Sequence, residues 1–256
     1  MFDNMTALDS CSVVLEGKMK ELHEYIYIRK SSRKYMMEEL DSQTMEEIRA
    51  FADNLKPLHE GIRVHHKIVS DTKNLLPIKA PHYFLIYSEQ KEGYLYNVGF
   101  LYQQLDLYLS SRGLGSCWLG MAKPKEKEDV SDDYVIALGF GKTPYPPHRD
   151  PEAFMRKPAD EVSKGQDERI DAAMLAPSAS NSQNWFFEAS EGRVHVYEKK
   201  LTPLEKLMYS KMSKIDIGIA LAHIYVTSEK LGKEFRFEKV VPGPTLKGLN
   251  YVGTVL

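Results

Sequence analysis

The sequence predicts an α+β fold with long central helices and mixed or antiparallel sheets, in which one order of elements occurs twice. The strongest sign is a repeated long helix. Asn97-Val98-Gly99 opens a helical stretch closed at Arg112-Gly113, and Asp216-Ile217-Gly218 opens another closed at Leu231-Gly232. Gly218 follows Gly99 by 119 residues, and Gly232 follows Gly113 by the same interval. The second sign is that a helix, two strands, the long helix and a further strand recur around each stretch in one order.

Each element has a local reason. Between Lys18 and Ile28, Met19, Leu22, Tyr25 and Ile26 fall at helical spacing. Asp41 or Ser42 can cap a second helix with Ile48, Phe51, Ala52 and Leu55 as its apolar face. Val64 to Val69 and His82 to Tyr87 are strand-like, the latter bounded by Pro81 and Ser88. Glu92 to Arg112 is a long helix rich in Tyr and Leu, and Tyr134 to Gly139 a short strand. The proline-rich, basic Gly141 to Pro158 is expected to be an extended excursion. The order then restarts: a helix over Asp167 to Ala176, a loop over Pro177 to Asn184, and a hairpin of Phe186 to Ala189 with Val194 to Tyr197 across Glu191-Gly192. A long helix over Asp216 to Leu231 and strands over Phe235 to Val240 and Tyr251 to Leu256 complete it. Residues 1–17 are expected to be a disordered leader, residues 18–160 a first half and residues 161–256 a second half of one compact unit.

Composition narrows the function classes. Of 256 residues, 43% are hydrophobic and 27% charged, as in ordinary globular proteins, enough for a substantial core. A formal net charge of -2 gives no general attraction to nucleic acid or to an anionic membrane, so any phosphate recognition must be local. No apolar run approaches the roughly 20 residues of a membrane-spanning helix. Two cysteines, Cys11 and Cys117, are too few for a disulfide framework and fit a reducing cytoplasm.

Three segments carry candidate chemistry. Arg29-Lys30-Ser31-Ser32-Arg33-Lys34-Tyr35 follows a helix end with four cations and two hydroxyls. A guanidinium fork and a hydroxyl suit a phosphate; a solvated basic turn has the same spacing. Ala176-Pro177-Ser178-Ala179-Ser180-Asn181-Ser182-Gln183-Asn184-Trp185 is a loop of small polar residues that a flat ligand could approach closely. Ser178, Asn181 and Gln183 could reach heteroatoms on a ring edge; an ordinary connecting loop is the alternative. Gly113-Leu114-Gly115-Ser116-Cys117-Trp118-Leu119-Gly120-Met121 lets backbone N–H groups face a ligand, or is a helix cap entering a buried strand. Cys117 fits a core position. His65 and His66 are adjacent on a strand and point to opposite faces, which does not suit a metal. No G-x-G-x-x-G follows a strand.

Together these segments resemble the nitroreductase and flavin-reductase family. The first is similar to its opening R-R-S-x-R-x-[F/Y], the second to its A-P-S-x-x-N-x-Q-P-W loop, and the third to its G-[L/I]-G-[S/T]-x-W segment. Asp216-Ile217-Gly218-Ile219-Ala220 resembles the start of that family's core helix, with Asn97-Val98-Gly99 as a looser copy. Ala137-Leu138-Gly139-Phe140-Gly141 with Met155-Arg156-Lys157-Pro158 resembles its tail. The likeness spans most of residues 19–256. Lys30 replaces an arginine or histidine, and Asn184 replaces the usual proline. The order also departs: in the family the basic opening and the small-residue loop belong to one repeat, whereas here Ser31 and Ser178 lie 147 residues apart. Asn54 to His59 and Lys164 to Asp167 stand where the missing copies would be.

The resemblance implies two pseudo-two-fold-related halves, fused where the family has a two-fold dimer. The first half would keep the phosphate-binding parts and the second the loop, giving one complete site per chain without a partner subunit; further dimerisation stays open. It implies FMN, with Arg29, Ser31 and Arg156 on the phosphate, Lys30 and Lys157 as weaker candidates, and Arg33 near the pyrimidine edge of the ring. Pro177, Ser178, Ala179 and Asn181 would cover the ribityl chain and ring, and Leu119 or Gly120 would direct a backbone N–H at the flavin N5. The cofactor would carry the chemistry, taking hydride from NAD(P)H and passing it to a nitroaromatic, quinone or similar acceptor, so no catalytic side chain and no metal is expected. A flavin-binding protein without turnover, or a related flavin enzyme such as a reductive dehalogenase, are the alternatives.

Overall fold

The computed structural model describes residue 17, residues 19–126 and residues 132–256. All of the leader expected over residues 1–17 except Gly17 lies outside the described residues. Residues 19–26 form α1 and bury Met19, Leu22 and Ile26. Helix α2 (Ser42–Ala52) starts at Asp41, whose carboxylate accepts the Thr44 N–H at 2.9 Å, and buries Ile48, Phe51 and Ala52. Strands β1 (Val64–Val69), β3 (His82–Ser88), β4 (Gly115–Leu119) and β6 (Asp133–Gly141) form a four-stranded antiparallel sheet in the order β1-β3-β6-β4. A small ladder joins β2 (Lys73–Asn74) to β5 (Ala122–Lys123). Between β3 and β4 runs α3 (Tyr94–Ser111), buried along nearly its whole length, which explains its lack of a polar face.

The tail between β6 and the next helix is extended apart from one 3-10 turn at Pro151–Ala153, but it is not detached. Lys142 accepts the Met36 N–H at 2.9 Å, and Arg149 donates its N–H to Ile28 at 2.7 Å, so the tail pairs with the basic opening. Helix α4 (Ala159–Val162), strand β7 (Ser163–Lys164) and helix α5 (Glu168–Met174) follow. The hairpin of β8 (Trp185–Ser190) and β9 (Arg193–Lys199) turns through Glu191 and Gly192, both at positive φ (52° and 74°), as a two-residue turn of that twist requires.

Helix α6 (Pro203–Leu231) starts thirteen residues before Asp216, where the helix was expected to begin. The signal was present in Thr202-Pro203-Leu204-Glu205. The Thr202 hydroxyl and the Glu205 carboxylate cap each other's backbone N–H groups, and Pro203 occupies the first turn. Gly232 ends the helix at φ 65°. The strand expected over Phe235 to Val240 shrinks to β10 (Phe237–Glu238), because the chain beyond it meets Pro242 and Pro244, which have no N–H for a ladder. Strand β11 (Leu249–Val255) completes the second sheet, ordered β10-β11-β9-β8-β7, with only β7 and β8 parallel. Leaving β7 aside, it has the connectivity of the first sheet: the two strands before the long helix adjoin, and of the two after it the later one sits inside.

Helices α3 and α6 pack side by side between the sheets, and one apolar core joins them to both. Their contact is reciprocal. A Cβ on Gly99 would come within 2.1 Å of Ile215 O, and a Cβ on Gly218 within 2.1 Å of Tyr96 O. Ile215 follows Tyr96 by the same 119 residues that separate the glycines. Backbone meets backbone there, and only glycine allows it. Among the described residues, no helix is long and apolar enough to cross a membrane.

Candidate functional site

The basic opening runs as a strap between the tail and β4. Arg29 makes an antiparallel bridge to His148, Ser31 a parallel bridge to Ser116, and Ser32 N–H reaches Ser116 O at 2.8 Å. Gly115 is glycine because a Cβ would strike Ser32 Oγ at 2.5 Å and Thr143 Cγ2 at 2.3 Å. That glycine therefore serves the approach of the strap.

Arg29 is 1% exposed and does not lie in a solvated turn. Its Nε pairs with Asp106 of α3 at 3.0 Å, and its Nη2 donates to Ser31 Oγ at 3.2 Å. Its Nη1 is buried and has no protein acceptor. Asp106 also accepts from Ser116 Oγ and, at 3.0 Å, from Gln103 Nε2. Gln103 Nε2 meets His223 Nε2 of α6 at 3.1 Å, and Gln103 Oε1 accepts from the Trp118 indole at 3.2 Å. His223 Nδ1 faces the Ala172 carbonyl at 2.9 Å, and a carbonyl only accepts, so the proton sits on Nδ1 and Nε2 accepts from Gln103. Burial holds this imidazole down at about 3. A closed polar network thus runs from Arg29 across the α3–α6 seam to α5.

Arg156 is half-buried against the small-residue loop. Its Nη1 donates to Asn181 Oδ1 at 3.0 Å and its Nη2 to Leu175 O at 2.9 Å, while Asn181 Nδ2 returns a bond to Met155 O at 2.8 Å. Arg156 Nε is buried without a partner. Burial, then the charges of Arg149 and Arg29, lower it to about 10. Lys157 donates its N–H to Gln183 Oε1 at 2.9 Å and its Nζ to Ser182 O at 2.6 Å. The tail and the small-residue loop, whose paired residues lie 25 and 26 positions apart, are therefore bonded together.

Within the loop, Ser180, Asn181 and Gln183 all have positive φ, between 50° and 56°, unusual for three such residues in one turn. Their side chains brace that conformation. Ser178 Oγ accepts the Gln183 N–H at 3.1 Å, and Gln183 Nε2 donates to Asn181 O at 3.2 Å. The Ser178, Asn181 and Gln183 side chains, expected near a ring edge, each also bond within the loop or to the tail. Asp216 of α6 accepts the Ala179 N–H at 3.0 and 3.1 Å, and burial raises its carboxyl to about 8. Pro177 lies half-buried at the base of the loop.

The other expected residues are less tightly joined. Lys30 is half-buried between the two bridges, and Arg33 is exposed, acting electrostatically on Arg149 and Cys117. Leu119 is buried at the end of β4 opposite Ala137, and exposed Gly120 follows. A Cβ on Gly120 would meet Met212 Sδ at 2.9 Å; Met212 is one helical turn before Asp216, so α6 links this corner to the loop. Cys117 is buried, and burial pushes its thiol up, as suits a core residue. His65 stacks on Tyr87, and His66 bonds to the Tyr102 hydroxyl at 3.0 Å, on opposite faces of β1. The sequence reading missed Asp106, Gln103, His223 and Arg149. Asp106 carried a signal, as the one carboxylate amid the apolar run of α3.

A family model described as "Putative TM nitroreductase" matches residues 21–228. The chain belongs to this nitroreductase family. The crystal structure of a Thermotoga maritima protein, itself described as a "putative nitroreductase", matches this nitroreductase-family chain with a TM-score of 0.64 and 19% identity, over 91% of this chain and 92% of that one. The shared fold is the nitroreductase fold. A nitroreductase-family protein from Clostridium difficile matches at a TM-score of 0.44 and 17% identity, over 54% of this chain and 94% of that one. A Bacteroides fragilis nitroreductase with bound FMN matches at 0.39 and 14%, over 54% and 92%. No curated protein matches.

Proposed function

We propose that this chain is an FMN-dependent NAD(P)H oxidoreductase with one flavin site per chain, built jointly by residues 18–160 and 161–256 as two pseudo-two-fold-related halves. The observation that carries the reading is a pair of unsatisfied guanidinium groups. Arg29 Nη1 and Arg156 Nε are buried donors without acceptors, beside a loop strained into positive φ. Leaving such donors unpaired costs about 1–3 kcal/mol each, and a phosphate oxygen would satisfy them. The equal connectivity of the two sheets and the reciprocal glycine contacts support the two-half construction.

Arg29, Ser31 and Arg156 hold the phosphate, with Lys30 and Lys157 adding charge. Arg33 would add a cation near the bound flavin, where positive charge favours its reduction. Pro177, Ser178, Ala179 and Asn181 form the covering loop, fixed by Asp216, Gln183 and the tail. Leu119 or Gly120 contributes a backbone N–H. Bound FMN would supply the redox chemistry, hydride transfer from NAD(P)H to a nitroaromatic, quinone or similar acceptor by a ping-pong route.

The test is the absorption spectrum of purified protein, with and without NADH or NADPH under anaerobic conditions. A yellow protein carrying one FMN per chain, bleached by a reduced nicotinamide, is expected. A colourless protein that ignores added FMN overturns the reading, and bound flavin that neither nicotinamide reduces would make the chain a binding protein without turnover.

A further inference from the structure

One cation of the site is absent from the motifs. Arg149 lies in Pro147-His148-Arg149-Asp150; it bonds to the backbone of one expected phosphate ligand, Arg29, and its charge acts on another, Arg156. Its Nε donates to the carbonyl of Arg29 at 3.1 Å, and its guanidinium lies 4.4 Å from the centre of the Phe154 ring. Arg156 shares that ring at 5.2 Å. Among the described residues, no carboxylate lies at ion-pair distance from Arg149 or Arg156. The neighbouring Asp150 instead caps the 3-10 turn through the Glu152 N–H at 3.1 Å.

Of the three guanidinium groups of Arg29, Arg149 and Arg156, which act on one another's charge, Arg29 alone pairs with a carboxylate among the described residues, Asp106. The excess of positive charge suits a phosphomonoester, which carries about −1.5 to −2 at neutral pH. Like charges in one place repel: burial, then the charges of Arg29 and Arg33, lower Arg149. A fixed dianion would turn that repulsion into binding energy. The Phe154 ring attracts both guanidinium groups without neutralising them.

We propose that Arg149, seated on Phe154, is a third arginine of the phosphate site and recognises the terminal phosphate of the flavin nucleotide. This rests on the FMN reading above and deepens it.

The experiment titrates FMN and riboflavin, the same ring system without phosphate, into the full chain stripped of flavin, following flavin fluorescence. Arg149→Ala is expected to raise the FMN dissociation constant about ten-fold or more and leave that for riboflavin unchanged. The difference should shrink in about 1 M salt, where charges are screened within about 3 Å. Phe154→Leu, which removes the ring face, should weaken FMN in the same selective way but less. Circular dichroism checks that each variant is folded, and Arg149→Gln replaces Arg149→Ala if the latter is not. Wild-type FMN affinity in the neutral variant overturns the proposal, and so does equal loss of both flavins, which would mark Arg149 as structural. If the wild-type chain binds neither flavin, the FMN reading itself falls.

Discussion

Asn97 and Asp216 stand 119 residues apart, each two residues before a glycine at the α3–α6 contact, and each holds a loop by its backbone. Asn97 Oδ1 accepts the Leu58 and His59 N–H groups at 2.8 and 3.0 Å; Asp216 accepts that of Ala179. The amide shows that no charge is needed for this work, which leads to a first prediction. Burial raises Asp216 from 3.8 to about 8. A folded pKa above the unfolded one means that its contribution to stability is full below about pH 3.8 and lost as pH rises through 8. Asp216→Asn should therefore raise the melting temperature at pH 8 to 9 and change it little near pH 4, by about 2–4 °C for each kcal/mol regained. Melting curves across that range check it; a variant less stable at pH 9 contradicts it.

His223 acts in the opposite direction. Its folded pKa, about 3, lies below its ordinary 6.5, so stability is full above pH 6.5 and is lost as pH falls from 6.5 towards 3. His59, His66 and His82, also lowered by burial, add to the same slope. His223→Gln should flatten part of the acid limb of a stability-against-pH curve between about pH 6.5 and 4.

The central helix contact should be intolerant of a single methyl group. Gly99→Ala and Gly218→Ala each place a Cβ against the partner helix's backbone, which has no rotamer to give way. Each is expected to cost about 1–3 kcal/mol or more in urea unfolding. Gly192→Ala, where a Cβ would meet nothing but φ is 74°, should cost less, about 1 kcal/mol.

The buried pair Arg29–Asp106 separates stability from binding. Asp106→Leu alone strands a buried cation and should cost about 3–5 kcal/mol. Removing both charges, as Arg29→Leu with Asp106→Leu, should recover much of that stability while FMN affinity falls about ten- to a hundred-fold. A double variant that binds FMN normally would show that Arg29 has no part in the phosphate site.

Because Arg156 and the loop at Ala179 to Gln183 belong to one chain and are already bonded together, flavin occupancy should not depend on protein concentration. Dilution at fixed free FMN checks this. Flavin lost in step with dissociation of a dimer would show that the site crosses chains.

The sequence by itself determined the alternation of elements, the two glycine-marked helices and the nitroreductase-like segments, because periodicity, caps and turn residues act within a few positions of one another. It also determined that the basic opening and the small-residue loop stood out, at Arg29 to Arg33 and Pro177 to Asn181. Only the tertiary structure decided what those residues touch. The Ser178 and Gln183 side chains turn inward because a loop at positive φ leaves backbone groups that must be bonded locally. Arg29 is buried because Asp106, 77 residues away, compensates its charge, and Arg149 joins the site because the tail folds back along the strap. The contacts of Arg29 with Asp106 and Arg149 cross long intervals of chain, where spacing carries no signal and the cost of burying a charge selects the partner.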